Sequence, residues 1–323
     1  MRLHVFFLGG TISMTPVEDG PGVRPGLGAD RLLAGLEPPP GAEITGEDFR
    51  SVGSSHLAFD DLLDLHRAAR AAVADGADGV IVVQGTDSLE ETSALLDLWW
   101  DHEAPVVFTG AMRHPALPGA DGPANLSASL RVAAHPDWRD LGVLAVLGDE
   151  VHAARFVAKT HTSSPAAFVS PEAGPLGRMV EGVPVRLTGV RRRAPLPVPA
   201  TMPRRVPILT AALDDDPDLV RLVAEASEGL VVAGFGAGHV RPAVAEVLGE
   251  AVSRIPVVLA SRTGGGSVHA RTYAGPGSEQ DLLGRGLISA GTLTPLKARL
   301  VLAVLIGCGA DRAATAEAFR RLG

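Results

Sequence analysis

One cysteine, Cys308, among 323 residues rules out an internal disulfide and fits a reducing compartment. It stands in the apolar run VLAVLIGCGAD, where a buried structural thiol is expected rather than a nucleophile. Long apolar stretches are lacking too, since no run approaches the roughly 20 residues that a membrane helix needs. Before the short run Val5 to Leu8 the only positive side chain is Arg2, so neither a signal peptide nor a membrane anchor is expected, and a cytoplasmic protein is. Positive charge does not dominate: the formal net charge of -8 argues against nucleic acid as a partner. The histidines have no H-E-x-x-H spacing and there is no C-x-x-C, so no metal is expected. G-x-G-x-x-G and G-x-S-x-G are absent, which removes the dinucleotide fingerprint and the serine nucleophile elbow. Lysine is nearly missing, with Lys159 and Lys297 alone in a chain that otherwise uses arginine.

What the chain does have is 46% hydrophobic residues, enough to fill two cores at this length. The stretch VIVVQGTDSLEETSALL, residues 80 to 96, organises the rest. Val80 to Val83 reads as a buried parallel strand, and Ser88 with Glu91 fits a capping box that starts a helix. Thr86 and Asp87 then lie at the carboxyl end of a strand beside a helix N-terminus, where ligands bind in open α/β sheets.

The same strand-then-turn pattern recurs along the first half. LHVFFL (3 to 8) is a strand followed by GGTIS, which presents Thr11. Read alone, that is a glycine-rich turn with an exposed threonine. Residues 14 to 29 are rich in Pro and Gly, without period, and read as a functional loop such as a lid. A strand near Ile44 to Val52 leads to Ser54 and Ser55, which equally suit a plain turn into the helix that runs from Asp60 or Asp61 to Ala74. PVVFTGAMRHP (105 to 115) gives another strand end, then a helix from Asp121 to Arg131, and the segment 142 to 165 opens with another core strand. Lys159 follows in an irregular polar segment, AKTHTS. A lone lysine is ordinarily solvated, but a buried one can have its pKa lowered enough to lose its proton and act as a base, which arginine cannot do.

A hairpin turning at Glu181 and Gly182 precedes RRRAPLPVPATMPRRVP, a stiff proline-rich connection. Its arginines read as a solvated or interface-pairing linker before an anion patch. A second, smaller parallel unit follows, with strands near 206 to 210, 230 to 234 and 256 to 260 and helices near 217 to 227 and 241 to 253; helices from Leu296 and Arg312 close the chain. The fold class is therefore α/β, with a larger N-terminal parallel-sheet domain (1–190), a linker (191–207) and a smaller C-terminal α/β domain (208–323).

Thr11, Thr86, Asp87 and Lys159 form an unusual set at strand ends and in a nearby loop. A threonine hydroxyl needs a neighbouring base to become a nucleophile, and a desolvated lysine oriented by a carboxylate can serve. Glycine turns offer backbone N–H groups to an oxyanion, worth about 3 kcal/mol per donor. Amide or ester hydrolysis is the natural reaction class.

LGGTIS, QGTDSLEET, TGAMRHP with ADGPANL, AKTHTSSPAAF and SAGTLTPLKARLVL, taken in order, resemble the bacterial-type L-asparaginases of the asparaginase and glutaminase family. The resemblance spans the chain. It implies hydrolysis of L-asparagine, with L-glutamine as the alternative substrate, no metal or organic cofactor, and a homodimer or homotetramer. It implies Thr11 as primary nucleophile and Thr86, Lys159 and Asp87 as a second triad, with Asp87 also on the substrate amino group. Ser54 would hold the substrate carboxylate, Ser55 stands where the family often has Gln, and the Ala111 carbonyl would face the leaving amide. Counting back from AGTLTP puts Glu279 on the acidic residue given by a neighbouring subunit, and His239 falls where related enzymes carry Asn. The chain departs in one respect: related enzymes have a lid tyrosine assisting the first threonine, and here the only tyrosine is Tyr273. A catalytically silent amino-acid-binding homologue is the remaining reading.

Overall fold

Unbroken apolar runs, rather than alternating ones, become the central strands, because a parallel sheet is covered on both faces. The computed structural model describes all residues except Glu18, Asp19 and Pro21, and divides into two compact units, Met1–Pro195 and Leu196–Gly323.

In the first unit, β1 (Arg2–Phe7) leads through a 3-10 turn (Thr11–Ser13) to β2 (Met14–Pro16), β3 (Val23–Pro25) and α1 (Ala29–Leu33). Residues 14 to 29 are thus not a featureless loop: β2 and β3 pair antiparallel, Met14 opposite Pro25. Strands of three residues are too short to show a period, which is why the composition alone read as loop. Of the expected lid, Glu18, Asp19 and Pro21 lie outside the described residues. Next come β4 (Glu43–Asp48), α2 (Phe59–Ala74), β5 (Gly79–Val83), α3 (Leu89–Trp99), β6 (Val106–Thr109), α4 (Gly122–Ala134) and β7 (Val143–Leu147). After these follow β8 (Glu150–Ala153), β9 (Ala158–Lys159), β10 (Phe168–Val169), β11 (Gly177–Val180) and β12 (Val183–Arg186).

The sheet runs β12-β11-β8-β7-β6-β5-β1-β4. From β4 to β7 the neighbours are parallel, and β8, β11 and β12 extend it antiparallel. Val80, Ile81, Val82 and Val83 are fully buried at its centre, each contributing about 1.5–3 kcal/mol of burial. The β11–β12 hairpin turns at Glu181 (φ 49°) and Gly182 (φ 76°), the left-handed pair that two-residue hairpins favour.

The second unit contains β13 (Ile208–Thr210), α5 (Pro217–Glu225), β14 (Leu230–Gly234), α6 (Pro242–Ala251), β15 (Val257–Ser261), α7 (Glu279–Arg285), β16 (Ile288–Ser289), α8 (Pro295–Gly307) and α9 (Arg312–Leu322). Its sheet, β13-β14-β15-β16, is parallel throughout. The α7 helix was not anticipated, although its signals are present: the Ser278 hydroxyl accepts from the Asp281 N–H at 3.3 Å, and Gly286 ends it at φ 105°.

The fold class is the α/β arrangement expected, a larger mostly parallel N-terminal sheet and a smaller C-terminal one. Cys308 departs from expectation: it is exposed, not a buried core thiol. It caps α8 beyond the last buried residue, Leu305, so the apolar face ends before reaching it, and its Sγ donates to the Pro197 carbonyl at 3.3 Å. No helix among the described residues is long and apolar enough to cross a membrane.

Candidate active site

Glycine brings the ends of neighbouring strands together. Gly10, at φ 96°, lies so close to the turn after β5 that an added Cβ would sit 2.2 Å from the Gly85 nitrogen. A Cβ on Gly85 would meet Ser54 Oγ at 2.8 Å, and one on Gly110 the Gln84 carbonyl at 2.4 Å and Thr86 Cγ2 at 3.3 Å. No side chain fits at these positions, so the backbone turns after β1, β5 and β6 interlock with the Ser54 turn. Thr11, Ser54, Thr86 and Ala111 therefore share the carboxyl edge of adjacent parallel strands.

Lys159 completes the arrangement from β9. Its Nζ donates to Thr86 Oγ1 at 3.0 Å and to Asp87 Oδ1 at 2.8 Å. The Thr86 side of this trio is buried, Lys159 is 16% exposed, and the Asp87 side chain is 71% exposed. A shielded hydroxyl, an amine and a solvent-facing carboxylate thus stand in line, a geometry able to move a proton between threonine and lysine. The AKTHTS segment is more regular than expected, because β9 pairs with β10 and sets Lys159 opposite Phe168.

Ser54 is almost fully buried and its Oγ accepts from the N–H groups of Asp87 (3.1 Å) and Ser88 (3.4 Å). Ser88 is the N-cap residue of α3, but it makes no capping bond; its hydroxyl donates to the Ser54 carbonyl at 2.8 Å. The Ser88 half of the expected Ser88–Glu91 capping box therefore does not form, because its hydroxyl is taken by Ser54, whose own Oγ accepts from the two N–H groups just ahead of the helix. An anion near Ser54 would face the N-terminus of α3, where the helix dipole favours negative charge. Ser55, its neighbour, is exposed. Ala111 is buried in a turn pinned by Asp121, whose carboxylate accepts from Met112 N (2.9 Å) and Arg113 N (2.8 Å). Asn125 adds a bond from Nδ2 to the Gly110 carbonyl at 2.9 Å.

Known proteins match the chain in both units. Residues 2–190 match the family model "Asparaginase, N-terminal", and residues 205–319 match "Glutaminase/Asparaginase C-terminal domain". The chain belongs to the asparaginase family. It is therefore an amidohydrolase. A "Probable L-asparaginase" of Deinococcus radiodurans is 36% identical over 315 residues, 96% of this chain and 94% of that one. A "Glutaminase-asparaginase" of Pseudomonas fluorescens biotype A is 29% identical over 289 residues, 87% of this chain and 78% of that one. A crystal structure of a "Probable Cytoplasmic L-asparaginase" from Campylobacter jejuni superposes with a TM-score of 0.86 at 30% identity, covering 99% of both chains.

Within this asparaginase-family chain, direct bonds join Thr86, Asp87 and Lys159, and backbone packing adds Thr11, Ser54 and Ala111. Glu279 belongs to the second unit, as the first residue of α7. It is fully buried, unlike a solvated loop carboxylate, and its Oε1 accepts from the N–H groups of Thr272 (2.9 Å) and Tyr273 (2.7 Å). Burial pushes its pKa up, but the N–H bonds from Tyr273, from its own backbone and from Thr272, with His239 nearby, outweigh burial and hold it below the usual carboxylate range. His239 Nε2 stands 3.5 Å from Glu279 Oε2, and its ring meets Tyr273 edge-on at 4.9 Å.

Sequence reasoning passed over Glu90 and Asp121 as supports. Glu90 is a buried acid whose carboxylate accepts from the Lys159 N–H at 2.5 Å. Glu90 stands beside Glu91 in the first turn of α3, and the S-x-x-E pattern falls on Glu91, so nothing local marks Glu90 as the acid that holds Lys159.

Proposed function

We propose that the chain hydrolyses L-asparagine to L-aspartate and ammonia through a threonyl acyl-enzyme. Thr11 Oγ attacks the side-chain amide carbon, and the oxyanion is met by backbone N–H groups of the glycine turns. Ammonia leaves with the proton that Thr11 gives up, and water then cleaves the ester, restoring the Thr11 hydroxyl and releasing the carboxylic acid. Thr86, Lys159 and Asp87 relay the protons. Asp87 also receives the substrate amino group, Ser54 its α-carboxylate, and the Ala111 carbonyl faces the leaving amide. The observation that carries this reading is the pair of bonds from Lys159 Nζ to Thr86 and Asp87. The catalytic domain is then residues 1–190, joined through 191–207 to the C-terminal domain.

Ammonia release from purified protein across L-Asn, L-Gln, D-Asn and small β-amides tests the assignment, with L-Asn the expected best substrate. Broader glutaminase-asparaginase activity is the second reading, favoured by the small, exposed Ser55 and by the Pseudomonas fluorescens relative. One methylene of pocket fit decides only about 1–3 kcal/mol. Equal kcat/KM on L-Gln would establish it. A cytoplasmic setting accords with the single cysteine and with the Campylobacter jejuni protein's description.

Self-association follows from the role assigned to Glu279, whose carboxylate would complete a neighbouring copy's site beside the substrate amino group. A Lys159→Met chain and a Glu279→Ala chain should each be weakly active alone. A mixed dimer has one site that combines both defects and one that has neither, so co-expression should recover part of the activity. Mixtures that never exceed the sum of the single mutants, with subunit exchange demonstrated, would show that Glu279 does not act across copies.

A further inference from the structure

Lys159 is docked twice onto one short stretch of chain. Its Nζ bonds to Thr86 and Asp87, while its own backbone N–H is taken by Glu90 Oε2 at 2.5 Å. Residues 86 to 90 are continuous with the first turn of α3, so one rigid element grips both the head and the backbone of the lysine. Glu90 is buried, although water would solvate a free carboxylate far better than this site does. Its burial is compensated by the bond it makes to β9.

The partner strand is held as well. β10 pairs with β9, and Ser170 follows β10 directly. Ser170 is buried and its Oγ lies 3.0 Å from Nδ1 of His152, a fully buried imidazole on β8. Because β8 is part of the large sheet, the His152–Ser170 bond ties the small β9–β10 ladder to the main scaffold. A two-residue ladder cannot hold its own geometry without such anchors.

We propose that Glu90, assisted by the Ser170–His152 bond, is a positioning residue that sets where Lys159 Nζ stands relative to Thr86. This rests on Lys159 being the proton carrier proposed above. Glu90 touches no reacting atom; it fixes the backbone from which the lysine reaches. A displacement of the order of an ångström at the amine would cost about 10- to 100-fold in turnover. The inference therefore weights chemistry over substrate binding, since Ser54 and the Asp87 backbone, whose N–H Ser54 Oγ accepts at 3.1 Å, hold their places without β9.

The test is steady-state ammonia release by the full chain bearing Glu90→Ala, Glu90→Gln, Ser170→Ala or Lys159→Met. For Glu90→Ala, kcat should fall about 10- to 100-fold with KM little changed, and Glu90→Gln, which keeps an acceptor for the Lys159 N–H, should restore most of the turnover. Ser170→Ala should lower kcat less and speed amide hydrogen exchange in the segment 158–169. Wild-type kcat in Glu90→Ala overturns the proposal, as does an equal loss in Glu90→Gln, which would assign the effect to charge instead of the backbone anchor. Full activity in Lys159→Met would instead remove the reading of the site itself. If Glu90→Ala does not fold, the Glu90→Gln and Ser170→Ala pair decides: no change in either kcat or local exchange for Ser170→Ala overturns the anchor.

Discussion

Lys159→Met should lower ammonia release by about 10²–10⁴-fold while the chain keeps its fold. Methionine matches the length of the lysine stem, so the volume beside Thr86 stays filled and only the amine is lost. Two bonds disappear with it, one to a buried hydroxyl and one to a carboxylate that is 71% exposed. Asp87 returns to water at little cost, since exposed pairs are worth about 0–1 kcal/mol, and the backbone bonds of β9 to Glu90 and β10 are untouched. The buried Thr86 hydroxyl loses a donor, so stability should fall by about 1–3 kcal/mol, whereas removing the proton carrier should lower kcat by about 10²–10⁴-fold. Thr11→Ala should cost at least as much, because no acyl-enzyme can form without its hydroxyl. Thr11 is half-buried on a short 3-10 turn, so its truncation leaves the sheet intact. Thermal melts alongside single-turnover ammonia assays check both. A folded Lys159→Met or Thr11→Ala chain with wild-type turnover would end the threonine mechanism for this protein.

Much of this architecture was readable because burial writes itself into runs of residues. Val80 to Val83, Val143 to Leu147 and Leu230 to Gly234 are apolar throughout and became central strands, and the Glu181–Gly182 turn carried its backbone conformation in its residue types. The Thr86 and Asp87 turn was found from its place between such a run and a helix. What escaped depends on contacts distant in sequence. Ser88 had the local pattern of a cap, yet Ser54, more than thirty residues earlier, supplies the acceptor. Lys159 stands out by its rarity in an arginine-rich chain, but nothing local shows that Glu90 takes its backbone N–H. The α7 helix that Glu279 opens escaped because it is only seven residues long and follows a Gly-rich stretch. His152 read as one of several scattered histidines, since nothing local announces that its partner is Ser170.

The buried His152 should make the protein markedly acid-sensitive. Its side chain is fully buried on β8, its Nδ1 engages Ser170 Oγ, and its Nε2 has no hydrogen bond among the described residues, with Glu150 Oε2 3.5 Å away. Burial pushes the imidazole pKa down from 6.5 to about 4. The folded chain therefore resists a proton that the unfolded chain accepts. Above pH 6.5 both states are neutral at this residue and no stability is lost. As pH falls from 6.5 toward 4 the unfolded state takes up the proton first, and stability declines until the folded state is protonated as well. A depression of this size corresponds to about 3 kcal/mol, a substantial part of a typical domain's total. His152→Asn cannot titrate and keeps a polar partner for Ser170, so it should be less stable than wild type at pH 7 but lose less on acidification. The measurement is unfolding free energy by urea at pH 7, 5.5 and 4.5 for both chains, in which the carboxylates and His66 contribute alike and cancel in the difference. The gap between wild type and His152→Asn should narrow by about 1–3 kcal/mol over that interval. Parallel pH dependences, or an NMR titration of His152 midway near 6.5 in the folded protein, would show that the ring is not held neutral by burial.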